Sequence, residues 1–194
     1  MSTTRSSRVQ STRPAMTVQD DVVHSAIGRK MLALTRISLG FIFLWAFLDK
    51  TFGLKYSTGA AVAEGEPTLS WIAGGTPSQG YLVFGTAGPL KDTFANIAGP
   101  ASDWLFMIAL LGIGLALILG IGMRIAAVSA TILLVLMWLA TWTFAQGSNN
   151  PLLDDHIIYA LVAITLAALY AGDTWGFGKP WANLNAVQQA SWLR

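Results

Sequence analysis

Asp154, Asp155 and His156 stand side by side at the head of an apolar run, in the segment NNPLLDDHIIYALVAITLAALY (residues 149–170). Carboxylates beside an imidazole can relay a proton or hydrogen-bond a quinol headgroup, because histidine titrates near neutral pH. The same carboxylates can instead cap the free N–H groups of a helix start, where the dipole favours negative charge. Asp154 is expected to be such a cap, which leaves Asp155 and His156 as candidates for chemistry. By helical periodicity His156 shares a face with Ala163, Ala167 and Ala171, so it is expected to point into the protein and not into lipid.

Further ionisable residues flank the other apolar runs: Asp49 and Lys50 close the first, and Asp103 opens the second. If the ends of these runs meet at one level, the catalytic candidates are His156, Asp155, Asp49, Lys50 and Asp103. Ionisable side chains at membrane depth are costly and point to function by default; Asp49 and Lys50 also read as interfacial anchors. Trp142, His156 and Tyr159 are the candidate contacts for a quinone ring. No ligand spacing demands a metal, and none is expected. A second group, Arg36, Arg124 and Asp173, is expected at the opposite level as a salt bridge tying three helices. For Arg124 the alternative is snorkelling to anionic headgroups.

The elements that must position these residues follow from composition. The chain has 194 residues, 54% hydrophobic and 11% charged, with a mean hydropathy of +0.54. Soluble domains carry about 25% charged residues, so the chain falls in the membrane class. A bilayer core needs about 20 apolar residues per helix. Four runs qualify, at about residues 31–48, 104–123, 125–144 and 155–172, and short connections within the last three imply an antiparallel bundle. The expected fold is therefore an all-α integral membrane protein: an antiparallel four-transmembrane-helix bundle with a long structured outer loop over residues 53–102. That loop holds WIAGGTPSQGYLVFG, too apolar for a free linker, and is expected to form short helical or re-entrant pieces lying as a lid.

Residues 1–28 read as a basic tail, 29–179 as the membrane domain and 180–194 as a C-terminal segment. Arg5, Arg8, Arg13, Arg29, Lys30, Arg124, Lys179 and Arg194 fall on one side, against Lys50, Lys55 and Lys91 on the other. This bias places both termini in the cytoplasm. Gly112, Ala116 and Gly120 read as a seam of close helix contact.

The residue inventory also bounds the chemistry. There are no cysteines and only two histidines, His24 and His156, so disulfides, cysteine-held clusters and a haem are not expected. GIGLALILG follows no strand, so it carries no nucleotide fingerprint. No intrinsic cofactor is expected. A quinone and lipids are the bound molecules that fit, and nucleic acid is not an expected partner.

Taken together, LTRISLGFIFLWAFLDKTFGL, LLGIGLALILGIGMRIAA and NPLLDDHIIYALVAITLAALYAGDTWGFGK resemble the DoxX/DoxD family of small four-helix membrane proteins. The long first outer loop looks like an extended sub-branch. The resemblance implies a bacterial or archaeal plasma membrane and a place beside quinone-linked respiratory or redox machinery, with other membrane subunits as partners. It supplies no catalytic set. An accessory subunit without its own redox centre is the expected role. The alternative is a DoxD-like thiosulfate/quinone oxidoreductase subunit with its site at the outer face.

Overall fold

The computed structural model describes residues 16–59, 68–144 and 150–194; Arg5, Arg8 and Arg13 of the expected tail lie outside the described residues. The described residues contain helices and no strands. After a short α1 (Gln19–Val22) comes the long α2 (Ala26–Phe52), then α3 (Lys91–Ile97), α4 (Pro100–Leu119), α5 (Met123–Thr141), α6 (Asp155–Ala168), α7 (Gly178–Ala182) and α8 (Asn185–Gln189).

Among the described residues α2, α4 and α5 are long and apolar enough to cross a membrane. α2 starts earlier than its apolar run because the Ser25 hydroxyl caps it, accepting from Gly28 N–H at 3.1 Å. It stops at Gly53, whose φ of 66° is the left-handed conformation that glycine takes without penalty. α4 opens on Pro100 in its first turn and closes at Gly120, φ 72°. Only Gly120, Ile121 and Gly122 separate it from α5, so the hairpin turns on the glycines. α6 is apolar but has only 14 residues, about 21 Å at 1.5 Å per residue, short of a bilayer core of roughly 30 Å. It is cut short where Tyr170 turns left-handed, φ 50°, into a tight turn over Ala171–Asp173.

Packing follows two pairings. α2 crosses α4 where Gly40 meets Leu117 and Ile118 and where Gly114 meets Leu44. A Cβ on Gly114 would stand 2.8 Å from the Leu44 backbone nitrogen, so the crossing needs glycine there. Gly112, expected in the seam, faces open space. α5 packs along α6 through buried small residues, Ala126, Ala127 and Ala130 on one side and Ala160, Ala163 and Ala167 on the other. Phe41, Leu105, Ile108, Ile132, Leu161 and Ile164 stay exposed, an apolar surface of the kind that lipid covers.

At the end of the molecule that holds α1, α7 and α8, Arg36 is fully buried and makes no ion pair among the described residues. Its Nε donates to Ala171 O at 3.1 Å. Nη1 donates to Leu117 O and, at 2.8 Å, to Ile118 O. Nη2 donates to Thr174 O at 3.2 Å and Trp175 O at 2.9 Å. These are the orphan carbonyls of the α4 C-terminus and of the turns after α6, the negative end of a helix dipole. The expected Arg36–Arg124–Asp173 salt bridge is thus not formed. All five guanidinium donors are committed to carbonyls, and Asp173 instead takes Arg194 Nη2 at 2.8 Å and Gln19 N–H at 2.9 Å. Arg124 is exposed and donates to Ser191 O at 3.3 Å.

Candidate functional site

The loop between α2 and α4 is fastened at both ends by buried carboxylates. Asp49 Oδ2 accepts from Ser57 N–H at 2.9 Å, Ser57 Oγ at 2.7 Å and Thr58 N–H at 2.9 Å, and Oδ1 accepts from Tyr56 N–H at 3.2 Å. Asp103 Oδ1 accepts from Ser78 N–H at 2.7 Å. Both carboxylates are almost fully buried, and their bonds satisfy loop N–H groups that burial would otherwise leave unpaired. Lys50 is half-buried beside a separate cleft of about 310 Å³ lined by Ser57, Thr68 and Gln79.

Between these fastenings the loop folds into short helical pieces over Trp71–Ala73, Gly80–Phe84 and Gly88–Leu90, followed by α3. They lie against the helices. Trp71 meets Trp104 edge-on at 4.6 Å, the Tyr81 hydroxyl donates to Met137 O at 2.5 Å, and Ala87 N–H donates to Ala140 O at 2.8 Å. Gly88, φ 73°, lies so close to the Trp142 ring that a Cβ would come 2.2 Å from Cγ. Trp142 is held left-handed itself, φ 49°, an uncommon state for a bulky residue, and packs on Phe144 at 5.2 Å. Its ring therefore seats the loop. Tyr159 is half-buried against the apolar core.

His156 pairs with Asp154. Nδ1 lies 2.7 Å from Asp154 Oδ2 and 3.6 Å from Asp155 Oδ1. The Asp155 side chain is 67% exposed, whereas that of His156 is 15% exposed. Asp154 Oδ1 meanwhile accepts from Ile157 N–H at 3.2 Å, so one residue both caps α6 and orients the imidazole. An ionised Asp154 only accepts, which puts a hydrogen on Nδ1. The Tyr81 ring stands edge-on at 6.4 Å. One ligand atom from each of Asp154, Asp155 and His156 falls within 4.8 Å of the others, although Nδ1 and Asp154 are already engaged with one another.

The candidates thus divide. No hydrogen bond or ion pair among the described residues joins Asp49, Lys50 or Asp103 to His156. What lies at this level instead is a groove of about 320 Å³ between α4 and α5, beneath the loop and open along Leu105, Ile132 and Leu136 to the surface that lipid covers. Its trunk is Leu105, Phe106, Ile132, Leu133 and Leu136, and its loop end carries Tyr81, Ser78 and Ser102. From Met137 to Ser129 it follows α5 for about 12 Å at 1.5 Å per residue. Ser102 Oγ donates to Gly99 O at 2.8 Å and contacts Ser78 Oγ at 3.1 Å. Ser102 spends its proton on a carbonyl, so the proton in the contact between the two hydroxyls comes from Ser78, and an occupant that accepts from Ser78 must displace this bond. Burial pushes the Tyr81 phenol above its ordinary value, so it remains a donor. Ser78 and Ser102 are 24 residues apart, with no periodic signal linking them; the only hint was the apolar character of the loop around Tyr81. No family model, curated protein or solved structure compared with this chain matches it.

Proposed function

We propose that this multi-pass membrane protein is a subunit without a redox centre of its own, associated with quinone-linked respiratory or redox machinery, and that it holds a quinone between α4 and α5. The cavity under the loop carries this reading. Its trunk is apolar, its loop end carries three hydroxyls against the single Ser129 at the far end, and its volume is within the common range of small-molecule sites. That shape suits an isoprenoid tail in the trunk and an oxygen-bearing ring beside Ser78 and Tyr81. The redox centre is assigned to a partner because the chain has no cysteine and only two histidines. His24 is exposed, and His156 is held by Asp154.

The same reading takes α6 with the turn after it as a fourth span, completing an antiparallel bundle. Both termini then lie in the cytoplasm, as the lysine and arginine bias favours. It also keeps the resemblance to the DoxX/DoxD family as the source of the respiratory assignment. Purification in mild detergent from the native membrane should retain cytochrome-containing subunits, seen in the absorption spectrum and by mass spectrometry. A colourless, isolated monomer or homodimer would argue against a subunit role.

A second reading, a thiosulfate/quinone oxidoreductase subunit, draws on the Asp154–His156 pair edge-on to Tyr81. It requires His156→Ala to abolish quinone reduction by thiosulfate while assembly stays intact.

A further inference from the structure

We propose that the groove between α5 and α6 at the end holding α1, α7 and α8 is a binding site for an anionic phospholipid, its headgroup on Arg124 and an acyl chain along the groove. The groove encloses about 470 Å³ and is lined by Ala127, Val128, Thr131, Ile132, Ile164 and Ala168, with Arg124 at one end. Thr131 adds no free hydroxyl, because its Oγ1 donates to Ala127 O at 2.7 Å. The wall is therefore apolar throughout, as an acyl chain requires.

Charge supplies the rest of the argument. Four other cations of this end are matched, Arg36 by carbonyls, Arg194 by Asp173, and Arg29 and Lys179 both by Asp20, while Lys30 is exposed on α2 and lines no part of the groove. The Arg124 side chain is exposed, has no carboxylate within ion-pair distance among the described residues, and makes one long bond to Ser191 O, while its backbone N–H donates to Arg194 O at 3.1 Å. It also sits in the first turn of α5, whose N-cap Gly122 offers no side-chain cap. A cation there is opposed by the positive end of its own helix dipole, and an anion would relieve both charges at once. Trp192, exposed in the turn over Ser191–Leu193 that Arg124 contacts, is of the type that sits at headgroup level. A free phosphate would use Arg124 but not the groove; the apolar wall selects a lipid.

The test uses the full chain in nanodiscs of phosphatidylcholine doped with phosphatidylglycerol, and native mass spectrometry of the ejected protein to count the lipid retained. Wild type should retain phosphatidylglycerol in preference to phosphatidylcholine. Arg124→Gln should weaken that preference about tenfold, the scale of one charge-assisted contact. Ala168→Phe, at an exposed position, should fill the groove and lower retention of the lipid while Arg124 remains. Lys30→Gln, removing an exposed cation of α2, should leave the preference unchanged. Equal retention of the two lipids overturns the proposal, as does an equal effect of Lys30→Gln and Arg124→Gln. Thermal stabilisation by inorganic phosphate in lipid-free detergent equal to that by phosphatidylglycerol would overturn it in favour of a free-anion site.

Discussion

The Tyr81 hydroxyl donates to the Met137 carbonyl at 2.5 Å, fastening the loop to the last turns of α5 directly over the cavity between α4 and α5. Tyr81→Phe keeps the ring against His156 and removes only this bond. It should cost about 1 kcal/mol, the usual net worth of a hydrogen bond. Amide exchange should quicken over residues 78–90 and stay unchanged in α2. Unaltered exchange in the loop would show that the hydroxyl fastens nothing.

Arg36 caps two sets of carbonyls at once, and the cost of losing it should be large. Arg36→Met leaves buried carbonyls unpaired at about 1–3 kcal/mol each, so a loss of roughly 3–5 kcal/mol is expected after relaxation. Arg36→Lys should recover part of it, since an ammonium has three donors against five. Denaturation in detergent, followed by tryptophan fluorescence, gives the ranking wild type, Lys, Met. Equal stability of the Lys and Met variants would contradict it.

Asp49 is an anchor in this account and not a catalyst. Asp49→Asn removes the carboxylate that accepts from Tyr56, Ser57 and Thr58 and should destabilise the start of the loop by roughly 1–3 kcal/mol. Quinone affinity per folded molecule should change little. Loss of all quinone binding in a variant with native loop exchange would return Asp49 to the site.

The α1 segment is held to α7 by an acid-sensitive contact. The hydrogen bond from Lys179 at 3.0 Å, with the charges of Arg29 and Lys179, holds the Asp20 carboxyl below the usual carboxylate range. A depressed folded value means that the contact contributes fully above the unfolded value, about 4, and is lost as pH falls through the folded one. Asp20→Asn should therefore lower the thermal midpoint at pH 7 and converge with wild type in acid. A difference independent of pH would show that the charge is not what matters.

Much of the membrane architecture was legible in the residues. Long apolar runs announce α2, α4 and α5, and Asp154 announces the start of α6, because span length and capping chemistry are local properties. The tertiary pairings were not legible. Arg36 suggests an ion pair, yet carbonyls freed by helix ends 81 and 135 residues away satisfy it, and helix ends carry no side-chain signature of that demand. Gly112, Ala116 and Gly120 match the small-residue spacing, but the α2 crossing uses Gly114, a choice that depends on helix rotation. The partner of Asp173 is Arg194, 21 residues on, beyond any periodic relation. At the site, Asp154 and not Asp155 holds His156, because its rotamer serves the cap and the imidazole together.

The central claim is the quinone between α4 and α5. The most direct measurement titrates a short-chain isoprenoid quinone into the purified protein in detergent and follows tryptophan quenching, with Ala109→Phe, at a position of α4 that also lines the trunk, filling it and Ser78→Ala blunting its polar end. The account predicts saturable quenching in wild type, abolished by Ala109→Phe in a variant of native helicity and weakened several-fold by Ser78→Ala, roughly the worth of one hydrogen bond. Linear, unsaturable quenching that is the same in wild type and Ala109→Phe would mean that quinone only partitions into the micelle, and would contradict the account.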